Sequence, residues 1–320
     1  MREFSSRLAP QIKSYIEFRA AMGRSDNHAQ NLQYFDHFCC ENYPKLEMLT
    51  KEVVRGWIAG EMTKGRGGLN NKASAIRMFA KYLGNGSYVL PTNTIPKRKK
   101  YVPYILTDDE LAAFFRAVDN VNGVRDHFLR ETMSVLLRLL YTCGLRPREG
   151  RLIKYKDICF ETGEILVTKT KRNKERIVVM SFDMLEMCKS YCKRRSAVVA
   201  EGCEYFFVTN DGSFLQKRQF NSLFKRCWAH ANPDTSPHLL PNIRPYDLRH
   251  RYASAVLQKW LDEGRNLYAM LPYLRAFMGH EKFADTAYYI HILPENLLKS
   301  PGVDWDRLDS TVPGVEVWED

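Results

Sequence analysis

Arg244-Pro-Tyr-Asp-Leu-Arg-His-Arg-Tyr252, followed by Met278-Gly-His280 and Tyr288-Tyr-Ile-His291, is the stretch on which the fold and the chemistry turn. Leu248, Tyr252, Ala255 and Val256 recur at helical spacing, which predicts a helix with one apolar, buried face. Tyr246, Arg249 and His250 stand where that helix begins, at an end whose free N–H groups favour anions. An arginine with aromatic and imidazole neighbours at such an end suits a phosphate. A solvated basic helix start fits the segment equally well, so the choice rests on the rest of the chain.

Working outward, composition bounds the answer. The 320 residues are 45% hydrophobic and 27% charged, an ordinary globular profile with length enough for two domains. A formal net charge of +11 and a pI near 9.2 favour a polyanionic partner such as nucleic acid. No apolar run approaches the ~20 residues of a membrane span. Met1-Arg-Glu-Phe-Ser5 lacks the apolar core of a signal peptide, so a cytoplasmic protein without membrane contact is expected. The eight cysteines form neither a CxxC nor a cluster with zinc spacing. They read as thiols in a reducing compartment, with no metal or other cofactor expected.

Residues 1–88 read as a helical amino-terminal domain. Leu8, Ile12, Tyr15, Ile16 and Met22 form one apolar stripe, and Leu32, Phe35, Phe38 and Cys39 a second. Thr50 suits the N-cap of a third helix, and a fourth carries Ile76, Phe79, Ala80 and Leu83. Arg66, Lys72 and Arg77 give this domain a basic face, which suits either DNA backbone or plain solvation. Residues 89–104 read as an extended basic linker, because prolines and the run Lys97, Arg98, Lys99 and Lys100 argue against packing.

Residues 105–320 read as a mixed domain, mostly helical. It opens on the capping box Thr107-Asp-Asp-Glu110. A long apolar helix ends at Gly144, and Arg146 follows just before Pro147, a residue favoured at a helix start. Glu149 can either cap that helix or reach back to the Arg146 guanidinium. From Asp157 to Met180 the period falls to two, with Ile165 and Val167, then Ile177 and Val179, expected on the inner face of a small antiparallel sheet. Lys171 lies at its hairpin tip, a position that is most often simply solvated. Tyr205-Phe-Phe-Val208 reads as a further buried strand, and Gln219 to His230 as a helix.

In sequence order, Cys143-Gly-Leu-Arg146-Pro-Arg-Glu149, Thr170-Lys171-Arg-Asn-Lys-Glu-Arg176, Tyr246-Asp-Leu-Arg249-His250, Gly279-His280 and Tyr289-Ile-His-Ile292 form a set. Each piece is weak singly and the ordered set is specific. It resembles the tyrosine recombinase (phage integrase) family, of the Xer and Cre type, from about Thr107 to Ile292. The helical first domain resembles that family's core-binding domain less strongly.

The resemblance implies a mainly α protein whose two domains clamp duplex DNA. It implies that Arg146 and Arg249 hold the scissile phosphate, that Lys171 protonates the leaving 5′ hydroxyl, and that His280 contacts the phosphate. Tyr289 matches the nucleophile that forms a 3′-phosphotyrosine, and Glu149 an acidic residue orienting Arg146. The partners implied are double-stranded recombination sites, a homodimer on each site, a homotetramer in synapsis, and an accessory or partner recombinase. One departure is Tyr246, where the family pattern has His: an imidazole titrates near neutrality, a phenol near ~10. Type IB topoisomerase-like relaxation, or DNA binding without strand exchange, are the rival readings. His250 and Tyr288 read as packing residues; the segment from Pro294 to Asp320 reads equally as a tail folded back on its own domain, and the resemblance favours docking on a neighbouring protomer.

Overall fold

The structure, a computed structural model, describes residues 3–24, 27–64, 68–84, 86–95, 101–120, 127–168 and 175–291. The chain divides into two compact units, Met1–Tyr101 and Val102–Asp320. The expected carboxyl-terminal tail, the hairpin tip with Lys171, and Arg66, Lys97, Arg98, Lys99 and Lys100 lie outside the described residues.

The first unit holds α1 (Ala9–Ala21), α2 (Ala29–Asn42), α3 (Lys51–Thr63) and α4 (Leu69–Leu83). Their apolar stripes meet in one core, where Ile12, Leu32, Phe35, Ile76 and Phe79 are wholly buried. Thr50 caps α3, its side chain accepting from Val53 N at 3.3 Å; such a cap contributes ~1 kcal/mol. Met22 departs from the expected stripe and lies exposed beyond the end of α1. Leu90 and Ile95 depart the other way and pack into this core. Arg77 explains why: its Nε donates to Leu90 O at 2.7 Å and its Nη2 to Pro91 O at 3.0 Å, holding that segment down. The start of the region read as an extended linker is therefore packed structure.

The second unit is built around α6 (His127–Thr142), whose Leu136, Leu137, Leu139 and Leu140 are all buried. A helix apolar on nearly every side must be covered on every side. α5 (Asp108–Asn120), α7 (Pro147–Arg151), α8 (Phe182–Arg195) and α10 (Asp247–Asp262) pack against it, and α9 (Lys217–Ala231) packs on α5. The Thr107 capping box forms as read, with Glu110 N donating to Thr107 Oγ1 at 3.2 Å and Thr107 N to Glu110 Oε2 at 2.8 Å. α11 (Leu267–Met278) and α12 (Ala284–His291) complete the unit and share a smaller core with α10.

β1 (Glu164–Val167) and β2 (Arg176–Val179) form an antiparallel pair. Ile165 stands opposite Val178, and residues directly opposite share a face. Val178 and Met180 are therefore buried, and Ile177 and Val179 point outward, the reverse of the expected alternation in β2. Phe206, Phe207 and Val208 are buried as expected, but the segment makes only isolated bridges, Tyr205 with Lys154 and Val208 with Phe214, rather than a strand.

Candidate active site

Three arginines from three elements converge on the carboxyl end of α11. The last carbonyls of a helix have no partner within it and carry the negative end of its dipole. Arg176 Nε donates to Phe277 O at 2.8 Å, Arg249 Nη2 to Met278 O at 2.6 Å, and Arg146 Nη2 to Gly279 O at 2.9 Å. Three successive carbonyls thus fix three guanidiniums. Gly279 ends α11 at φ +67°, and a Cβ there would lie 3.0 Å from Arg176 Cδ and Nη1. Only glycine suits both the turn and the close approach.

Glu149 serves two of these arginines at once. Its Oε2 accepts from Arg146 N at 3.0 Å, capping α7, and its Oε1 accepts from Arg146 Nη1 at 2.6 Å. Arg176 grips the same carboxylate with both ends of its fork, Nη1 to Oε1 at 3.2 Å and Nη2 to Oε2 at 2.8 Å. Burial works to raise the carboxyl pKa, but Arg176 and then Arg146 outweigh it and bring it down to about 2. A folded pKa below the ordinary ~4.3 gives stability that is complete above that value and lost as pH falls through about 2. Glu149→Gln is expected to cost roughly 3 kcal/mol at pH 7, read as a lower urea midpoint, and to flatten the acid loss of stability. Equal midpoints at pH 7 would show that this network adds nothing to the fold.

Arg249 is the deepest of the three, with no exposed surface. Its Nη1 donates to Gly144 O at 2.5 Å, which ties the end of α6 to the end of α11. Gly144 has φ +57°, and a Cβ there would meet the Tyr252 ring at 2.6 Å, so α6 ends on a glycine for packing as well as for the turn. Among the described residues no carboxylate pairs with Arg249, and its Nε finds no acceptor. Burying a charge without a counter-charge is costly. Burial draws its pKa down, with the Tyr246 phenol opposing. The end of α11 therefore holds three guanidiniums against one carboxylate, a surplus suited to a phosphate.

Tyr289 lies beside them on α12, 2% exposed, among Leu257, Leu271 and Met278. Two imidazoles flank its ring: His280 stacked at 5.8 Å and 19°, His250 tilted at 5.5 Å. Burial pushes the phenol up to about 12, with Arg249 pulling the other way. His280 Nδ1 is 2.8 Å from the Thr286 hydroxyl. Burial, then Arg249 and Arg146, press its pKa down to about 3, so the ring is neutral near pH 7. Tyr288 is half-buried and turned elsewhere, where Arg244 and Asp247 act on it. Tyr246 stands at the N-cap of α10, 5.1 Å from the His250 ring. After Glu149, it is Tyr246 that raises the Arg146 pKa against burial.

Arg146, Glu149, Tyr246, Arg249, His280 and Tyr289 thus come together. Two of the candidate DNA-backbone residues do not stand free. Lys72 is paired with the buried Glu61, and Arg77 clasps the Leu90 and Pro91 carbonyls. Buried acceptors outcompete solvent for a cation within reach. A basic cleft of about 810 Å³ beside Arg146 was not foreseen; Lys217, Asn221 and Lys225 line it from α9, together with Arg244 and Tyr246. The recurrence of polar residues at every fourth place along α9 was the available signal. Arg176 lies within the Thr170–Arg176 motif, where nothing in the sequence distinguishes it as a site residue. Among the described residues no cluster of His, Cys, Asp or Glu is placed to hold a metal ion, and no helix is long and apolar enough to cross a membrane.

Residues 105–296 match the model of the phage integrase family. The chain belongs to the phage integrase family. As a member it is a DNA recombinase of the tyrosine type. "Putative integrase/recombinase y4rE" of Sinorhizobium fredii is 27% identical over 300 residues, covering 91% of this chain and 93% of that protein. Tyrosine recombinase XerC of Oceanobacillus iheyensis is 26% identical, covering 88% and 90%. Among solved structures, the Tn1549 transposon integrase with transposon right end DNA superposes at TM-score 0.63 and 16% identity, over 95% of this chain and 99% of that one. The fold of this recombinase is thus shared well beyond its sequence relatives.

Proposed function

We propose that this recombinase cleaves each DNA strand by attack of Tyr289 Oη on the scissile phosphorus, held by Arg146 and Arg249. The observation that carries this reading is the surplus of buried positive charge at the end of α11, directly beside a buried tyrosine. The new bond joins phosphorus to the Tyr289 oxygen, and the bond to the 5′ oxygen breaks. The leaving oxygen takes a proton from Lys171, and the phenol proton passes to solvent water. A 5′ hydroxyl from the partner duplex then attacks the phosphotyrosine, which restores the phosphodiester and reprotonates Tyr289. Fixed guanidiniums stabilise the five-coordinate phosphorus without reorganising. The substrates are two short duplex sites, each bound by a dimer and paired in a tetramer.

Lys171 provides the test of proton delivery. Lys171→Ala is expected to slow cleavage of a nicked duplex by about 10²-fold or more. A duplex with a 5′-bridging sulfur, which leaves without a proton, should restore most of that rate. A sulfur substrate that stays slow removes Lys171 from the acid's role. The recombinase reading itself is tested by pairing duplexes selected by the protein from a random pool: exchanged products support it, and binding without exchange contradicts it.

A further inference from the structure

We propose that Arg176 is a positioning residue that offsets the charge of Glu149 and so leaves Arg146 free to act on the phosphate. The inference rests on the reading of Arg146 as a phosphate ligand. Arg176 is the first residue of β2 and stands a few residues after Lys171 in the sequence. Each of its three nitrogens donates a hydrogen bond: Nε to Phe277 O, Nη1 and Nη2 to the two oxygens of Glu149. Its side chain is 10% exposed and that of Glu149 5%, so neither charge is damped much by water.

Charge counting shows what this arrangement does. Arg146 and Glu149 alone would make a neutral pair, with the carboxylate competing with the phosphate for one guanidinium. Adding Arg176 gives two cations and one anion, and a net positive charge remains for the substrate. The Arg176 fork also occupies the same two carboxylate oxygens that Arg146 uses, which limits how far Glu149 can hold Arg146 back. The third contact, to Phe277 O, locks the arrangement to the same helix end that carries Arg249 and Arg146. Arg176 need not touch DNA for any of this; it acts through Glu149.

The test is a double-mutant cycle on the full chain, with single-turnover cleavage of a nicked duplex and DNA affinity measured separately. Arg176→Gln is expected to lower the cleavage rate about 10- to 100-fold with little change in Kd, because phosphate contacts elsewhere supply most of the affinity. Glu149→Gln placed in the Arg176→Gln background removes the uncompensated carboxylate and should recover about tenfold. A residue needed only for packing would make the double variant slower still. Arg176→Lys, which keeps the charge without the fork, should fall between wild type and Arg176→Gln. Thermal unfolding checks that each variant is folded; if Arg176→Gln is not, Arg176→Lys and its Glu149→Gln double carry the test, and a lysine variant as slow as Arg146→Ala overturns the proposal. A double no faster than Arg176→Gln also overturns it. Normal cleavage by Arg146→Ala would instead overturn the parent reading, while a dead Arg146→Ala beside a wild-type Arg176→Gln defeats this inference alone.

Discussion

Tyr289→Phe is expected to leave no covalent protein–DNA adduct on a nicked duplex, with DNA affinity within about twofold of wild type. The substitution removes one oxygen and keeps the ring packed between His280 and His250. The fold therefore loses little, and the proposed reaction loses the atom that would bond to phosphorus. Tyr288→Phe is the matched control. Neighbours on a helix point about 100° apart, so only one of the two tyrosines can face the arginines. Arg249 and Arg146 both act on Tyr289, whereas Tyr288 is under the influence of Arg244 and Asp247. Tyr288→Phe should accordingly keep its adduct. Because the Tyr289 phenol is pushed up to about 12, it stays protonated near neutrality, and cleavage should quicken as pH rises toward 9. A rate that falls over that interval would mean that another group limits the step.

Arg249→Ala should slow cleavage by about 10³-fold, the usual scale for removing one fixed donor to a developing oxyanion. It should also weaken the fold, because Gly144 O and Met278 O lose their donor in a buried place. An orphaned buried carbonyl costs about 1–3 kcal/mol, so a clear drop in the urea midpoint is expected alongside the kinetic loss. Arg249→Lys should not rescue the rate. One ammonium cannot span two carbonyls on separate elements and still present a face to phosphate. Cleavage by Arg249→Ala within tenfold of wild type would place the phosphate somewhere else.

Much of this was legible in the sequence, for physical reasons. The helices of the first unit follow from apolar spacing and from caps such as Thr50, which are local features. The candidate residues on α7, α10 and α12 stood out because an ordered set of motifs resembles a known family, and the fold brings them together. The orientation of β2 was not, since Val178, between Ile177 and Val179, is itself apolar, so the period of two fits either face. Only pairing with Ile165 decides that Val178 points inward. Glu149 was read as either a cap or a guanidinium partner because sequence spacing permits both; in the fold its two oxygens do both. Arg77 and Lys72 illustrate the limit of reading charge along a chain. Their carbonyl and carboxylate partners lie on other segments and appear only once the unit is packed. Arg176 was hidden in the same way, its partners being Glu149 on α7 and Phe277 at the end of α11.

The central claim is that the arginines gathered at the end of α11 deliver a DNA phosphate to Tyr289. Its most direct test is peptide mapping by mass spectrometry of the adduct trapped by the wild-type protein on a nicked duplex. The account predicts a nucleotide phosphate on the peptide that contains Tyr289, with fragmentation placing it on that residue. A phosphate on Tyr288, or on any residue of another element, would contradict it.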